Sequence, residues 1–272
     1  MIATTVPTST VPTVTSRIGN PVRDTVRDTA IVLGRELKPV LRDPFSVVFS
    51  MIQPLFFLAL FAPLLSGVGG FGAGSSLQWF VPGIVVMSCL FGASMTGSNL
   101  LMEMQTGSHE RTLVTPLSRS SLLLGRALKE IVPVVVQAVI VVAVVAPFSF
   151  EVHPIGIVVG LVMLSVFCVG LGSLSYALAL ATKGQDWIFW TVQQTFLFPV
   201  LVLAGMLLSV DAGPDWLRAL SRANALTYIV DAMRSLFAGS FDWSLVLQGT
   251  LAAALVCGLG LAVGLRSMRA AD

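Results

Sequence analysis

The chain reads as an all-α integral membrane protein with six transmembrane helices, and three observations lead there. Of its 272 residues, 55% are hydrophobic and only 11% are charged, where a soluble domain carries about 25% charged residues. Its mean hydropathy of +0.88 is more than a water-soluble core of this size conceals. Six long runs contain no Asp, Glu, Lys or Arg, and about 20 apolar residues in a helix cross a hydrocarbon core roughly 30 Å thick. Long runs without alternation are helices rather than barrel strands, because backbone groups in lipid must be satisfied within the segment.

Taken in order, residues 1–20 form a flexible cytoplasmic tail. Its start has neither the basic residues nor the apolar core of a cleavable signal peptide. Residues 21–43 form an amphipathic interface helix, with Val22, Val26, Ala30, Leu33 and Leu37 at helical spacing and Arg23, Asp24, Arg27, Asp28, Arg35 and Glu36 between them. Asn20 is placed to cap it, Pro21 suits its first turn and Asp43–Pro44 ends it. Two roles stay open for this helix, a simple anchor on the inner membrane face or a moving part.

Residues 44–272 form the six-span domain, with spans at about 45–66, 79–102, 131–150, 155–181, 187–210 and 245–265. Glycines between Ser66 and Gln78 turn the chain after the first span, and all five tryptophans fall at or near span ends, where an amphipathic ring prefers the headgroup layer. Thirteen of the sixteen Lys and Arg residues lie on the side of the N-terminal segment, leaving Arg218, Arg222 and Arg234 on the other. The positive-inside rule therefore puts both termini in the cytoplasm, in a cell (plasma) membrane crossed many times.

Two connections are more than turns. After the second span Gly107 breaks the helix, Ser108 caps a short one, Glu110 suits its positive end and Pro116 stops it. A second helix then runs from Ser118 or Ser120 into the third span. A short helix offered to the cytoplasm suits a partner that pushes on it; a solvated loop is the alternative. Between the fifth and sixth spans, residues 211–244 are too long for a structureless turn. They divide into a short helix after Pro214 and a second over residues 225–237, an extracellular pair dipping into the outer leaflet.

The chemistry narrows the function. No nucleotide-binding loop is present, because the three lysines are followed by Pro39, Glu130 and Gly184 rather than by Ser or Thr. His109 and His153 fall on opposite faces, so they share no metal, and Cys89, Cys168 and Cys257 lie in apolar runs. A net charge of +2 supplies no basic stripe for nucleic acid. No catalytic, cofactor or metal residues are assigned, and the chain is expected not to be an enzyme. The spans hold no ionisable relay of the kind ion-coupled carriers use. They do hold Gln53, Ser94, Asn99, Gln193 and Gln194, for which helix–helix hydrogen bonding and a weakly polar path for an amphiphile are both open. Phe56, Phe57 and Phe198 are candidates for aromatic contact along that path. Pro54 and Pro199 favour kinks in the first and fifth spans. The Gly156-x-x-x-Gly160 and Gly260-x-x-x-Gly264 spacings permit close helix contact.

The order of parts resembles the type-2 ABC exporter permeases, especially the daunorubicin-resistance-like group. The resemblance is carried by Phe80-Val-Pro-Gly-Ile-Val-Val-Met87, by Gly107-Ser-His-Glu-Arg-Thr-Leu-Val-Thr-Pro-Leu-Ser-Arg119, by Leu203-Ala-Gly-Met-Leu-Leu208 with Trp216-Leu, and by Asn224-Ala-Leu-Thr-Tyr-Ile-Val-Asp-Ala-Met-Arg234. It departs from the family pattern at His109, where Leu is common, and at Ala225, where Pro is common.

What the resemblance implies is a transport subunit with no ATPase of its own. Its partners are two copies of an ABC ATP-binding subunit, a second permease copy or a paralogue, the lipid bilayer and an amphiphilic substrate (a drug, antibiotic or lipid-like compound). ATP and Mg belong to the partner subunit. The coupling helix would comprise Gly107, Ser108, His109, Glu110, Arg111, Thr112, Leu113, Thr115 and Pro116. Other readings are a permease for a lipid-linked glycan or polysaccharide, for which a channel rich in aromatic residues would speak, and an ion-coupled carrier, which intramembrane carboxylates would favour. A lipid-modifying membrane enzyme would need clustered His, Asp, Ser or Cys at one interface.

Overall fold

The computed structural model describes residues 21–43, 45, 49–66, 76–108, 119–148, 150–183, 185–206, 210 and 213–270. Among them there is no strand. The helices are α1 (Pro21–Arg42), α2 (Ile52–Ser66), α3 (Ser76–Gln105), α4 (Arg119–Lys129), α5 (Ile131–Val145), α6 (Pro154–Ala181), α7 (Asp186–Leu203), α8 (Asp215–Arg222), α9 (Ala225–Phe237) and α10 (Trp243–Ala270). The expected tail, 1–20, and the Asn20 cap lie outside the described residues.

Five of the described helical segments are long and apolar enough to cross a membrane: 77–105, 120–145, 154–181, 186–203 and 243–270. They overlap the second to sixth expected spans. Within the first expected span, 45–66, Phe45, Phe49 and Ser50 are helical, Met51 is a turn, and α2 runs from Ile52. Pro54 explains that start: it has no N–H to return to the Ser50 carbonyl, so the ladder begins afresh where a helix needs no donor. At 15 residues α2 extends about 22 Å, short of the roughly 30 Å core. The same rule acts at Pro133, which cannot bond the Lys129 carbonyl, and α4 passes into α5 through a turn at Glu130. Pro199, by contrast, is accommodated inside α7.

Successive long helices alternate in direction. Glu103 of α3, Arg126 of α4 and Tyr176 of α6 meet at one end, and Val32 of α1 and Met268 of α10 share an apolar cluster there. This is called the α1 end. Trp79 of α3, Gly205 after α7 and Arg234 of α9 meet at the other, the α9 end.

Small residues set the closest contacts. A methyl group at Gly260 of α10 would overlap the Gly170 carbonyl of α6, and one at Gly156 of α6 would overlap the Leu236 carbonyl of α9. Both glycine spacings in the sequence thus mark places where helices touch backbone to backbone. The helical pair is unequal. α8 is largely exposed, whereas α9 is inserted among α3, α6 and α10 with Ile229, Val230, Met233, Leu236 and Phe237 fully buried. α1 is docked on α4, where Val32 covers Gly125 so closely that no larger residue fits there.

Candidate functional site

At the α1 end, charges that flank the apolar runs are folded inward onto one another. Arg126 Nη1 donates to the Tyr176 hydroxyl at 3.1 Å, and the guanidinium lies over the Tyr176 ring at 5.6 Å. Its Nη2 pairs with Glu103, and its Nε lies 3.8 Å from Glu36. Lys129 Nζ approaches Glu36 at 3.6 Å and Glu130 at 3.5 Å. Arg126, Lys129 and Glu130 are all buried, so each depends on these partners to offset lost hydration. The network ties α1, α3, α4 and α6 together at a single level. The sequence alone did not pair these charges. The available signal was Arg126 and Lys129 one helical turn apart on the helix that leads into a span.

Beside this network is a cavity of about 490 Å3 between α1, α3 and the start of α5, lined by Glu36, Asn99, Glu103, Lys129 and Glu130 among others. A smaller one of about 180 Å3 continues toward the membrane centre between α2, α3 and α5, and includes Gln53, Pro54, Met87 and Phe91. Ser50, Gly92, Met95 and Gln137 line both, and Gln137 Nε2 donates to Ser50 Oγ at 2.6 Å.

The expected path residues are distributed among different surroundings. Gln53 lines the smaller cavity and Asn99 the larger. Ser94 and Gln193 are buried, joined through Ser175, whose Oγ donates to the Ser94 carbonyl at 2.6 Å and approaches Gln193 Oε1 at 3.4 Å. Gln194 is half-buried. Phe57 stacks on Phe61 (5.8 Å) and Phe61 on Phe80 (5.6 Å), Phe56 is exposed, and Phe198 meets Phe91 edge to face at 6.5 Å. Of the expected coupling helix, Gly107 adopts a φ of +67° directly after α3, the left-handed conformation that ends helices, and Ser108 follows it. His109, Glu110, Arg111, Thr112, Leu113, Thr115 and Pro116 lie outside the described residues.

At the α9 end, sequence blocks that are far apart in the chain converge. Asn224 caps α9, accepting from Leu226 N at 3.0 Å, while its Nδ2 donates to the Val200 carbonyl at 2.8 Å. Thr227 Oγ1 donates to the Ser221 carbonyl at 2.9 Å and lies 3.4 Å from the Leu203 carbonyl. Arg234 Nη2 donates to the Gly205 carbonyl and Nε to the Trp79 carbonyl. Three side chains of one helix thus occupy carbonyls at the C-terminal end of α7, where a positive charge is favoured. Gly83 completes the junction: a methyl there would come within 2.7 Å of the Met206 carbonyl.

Comparison with known proteins defines the class. The chain belongs to the ABC-2 type transporter family, which it matches over residues 27–238. It is 25% identical over 241 residues to the "Daunorubicin resistance ABC transporter permease protein DrrB1" of Streptomyces coeruleorubidus, covering 86% of this chain and 85% of that one. It is 26% identical over 224 residues to the "Putative transport permease ycf38" of Cyanophora paradoxa, covering 79% and 76%. To the "Probable multidrug ABC transporter permease YbhR" of Escherichia coli (strain K12) it is 25% identical over 166 residues, 59% of this chain and 44% of that one. The matched region takes in α3 to α9 whole, and with them the junction at the α9 end and the network of Glu103, Arg126, Lys129, Glu130 and Tyr176. It is a multi-pass membrane permease, and an ABC ATP-binding subunit is the partner its family implies.

Proposed function

We propose that this chain is the conduit of an ATP-driven exporter, moving an amphiphilic compound outward when a separate pair of ABC ATP-binding subunits closes. The reading rests chiefly on the family match across residues 27–238, with a sequence that offers no nucleotide-binding loop of its own. In this scheme α2 completes a set of six spans, and two permease chains face each other in the plasma membrane with both termini in the cytoplasm. The thirteen basic residues on the side of the N-terminal segment support that orientation. Residues 107–116 then sit against the ATPase. Movement there reaches the spans through α4, whose Arg126 holds α3 through Glu103 and α6 through Tyr176.

The test is transport in inverted membrane vesicles. Co-expressed with its ABC ATP-binding partner, the chain should accumulate an amphiphilic fluorophore in the vesicle lumen when ATP is added. Neither subunit should do so alone. ATP hydrolysis by the purified permease chain, or accumulation driven by a proton gradient without the ATPase, would overturn the reading.

A further inference from the structure

We propose that the joined cavities between α1, α2, α3 and α5 form a binding site, within one chain, for an amphiphile whose head group carries an amine. Their shape is that of a head pocket and a tail slot. The larger volume, about 490 Å3, falls in the range of small-molecule sites. Four carboxylates, from Glu36, Asp43, Glu103 and Glu130, stand on its wall against one ammonium, Lys129. Arg126 is packed behind the wall against Glu36 and Glu103. The Glu130 side chain is buried beside Asn99 and Lys129, whose Nζ stands 3.5 Å from Oε1, and no donor closes a well-formed hydrogen bond on that oxygen. A protonated amine supplies that hydrogen bond, and with both partners charged it is among the stronger kinds. An anionic head meets like charges, which is how such a pocket discriminates.

The tail slot has a different chemistry. Past Gly92 and Met95, the smaller cavity is lined by Pro54, Met87 and Phe91, with Gln53 and Ser88 as its polar members. Methionine side chains adapt to irregular apolar guests. An amine head at Glu130 with a chain or ring system lying toward Met87 satisfies both halves at once. Two sources share this chemistry, a foreign amphiphilic amine and an amine phospholipid of the surrounding leaflet. Use of the site as the point of substrate entry rests on the export reading; the site itself does not.

Native mass spectrometry of the full chain, purified in a neutral detergent, tests the proposal without the ATPase. The probes are dodecylammonium and phosphatidylethanolamine, with dodecyl sulfate and phosphatidylglycerol as tail-matched controls that lack the ammonium. One amine amphiphile per chain is expected, held about tenfold more tightly than its anionic counterpart. Glu130→Gln should reduce retention of both amines by about the same factor. Met95→Trp, which fills the passage common to both cavities, should abolish it in protein that still elutes as a single species. Displacement of phosphatidylethanolamine by dodecylammonium supports a site open to foreign amines, and retention of the phospholipid alone supports the same site with a lipid occupant. Equal retention of cationic and anionic probes, or binding unchanged in both variants, overturns it. Failure here leaves vesicle transport untouched, and failed vesicle transport leaves this binding assay untouched.

Discussion

The guanidinium of Arg234 lies 3.7 Å from the centroid of the Trp79 ring, and the same side chain donates to the carbonyl of Gly205 at 2.7 Å. One residue of a loop helix thus clasps the start of α3 and the end of α7. Replacing it by Gln removes a cation–π contact and a charge-assisted hydrogen bond, together about 2–4 kcal/mol. Thermal unfolding in detergent should show a clear fall in Tm. Arg234→Lys should recover less than half of the loss, because an ammonium lacks the planar fork. An unchanged Tm for the Gln variant would show that the clasp carries no stability.

The same substitution at two glycines should have opposite signs. At Gly83 an added methyl meets the Met206 carbonyl at 2.7 Å, and backbone cannot swing aside as a side chain can. Gly83→Ala should cost about 1–3 kcal/mol. Gly34 lies inside α1 with nothing within 4 Å of the added carbon, so Gly34→Ala should stabilise by up to about 1 kcal/mol through helix propensity. Chemical denaturation of the two variants beside the parent chain decides it.

Arg126 and Glu103 should be coupled. Arg126→Leu strands the carboxylates of Glu103 and Glu36 beside a buried apolar side chain and should cost about 3–5 kcal/mol. Adding Glu103→Gln should restore part of this, with an interaction energy of at least about 1 kcal/mol in the double-mutant cycle. Strict additivity of the two single changes would mean that the pair contributes nothing as a pair.

Glu110 and Arg111 separate folding from coupling. The double variant Glu110→Ala with Arg111→Ala should reach the membrane at the parent's level and unfold at the parent's temperature, yet lose ATP-dependent vesicle transport. Transport at the parent's rate would remove this segment from the contact with the ATPase.

Much of the architecture can be read from the chain because hydrocarbon is an exacting solvent. A run such as 154–181, uncharged and longer than the bilayer is thick, has little choice but to be α6. Gly107 announces where α3 stops, since it takes up the left-handed conformation at no steric cost, whereas the turn before Pro133 is not anticipated from the sequence. What escapes such reading depends on tertiary neighbours. Arg234 has a local ionic partner in Asp231 at 3.6 Å, but its hydrogen bonds go to the Trp79 and Gly205 carbonyls of distant segments, which have no sequence signature. Likewise Arg126 finds Glu103 and Tyr176 on other helices, and spacing along one helix says nothing of that. The turn at Met51 interrupts helix within a single apolar run, a local backbone effect that hydropathy alone does not register. Of the expected path, the same polar residue types serve two purposes: Gln53 and Asn99 face open space, whereas Ser94 and Gln193 are joined through Ser175.

The meeting of Gly170 and Gly260 leaves no side chain between α6 and α10 to act as a bearing. Two rods joined backbone to backbone slide poorly, so this pair, with α9 wedged against it, behaves as the stator of the subunit. α2 and α7 touch their neighbours far more sparingly, and α7 is gripped chiefly at its tips, by Gln105 on Asp186 and by the α9 side chains on its last carbonyls. Whatever stroke the subunit makes is therefore allotted to its lightly held rods, with the glycine-joined pair as the fixed frame.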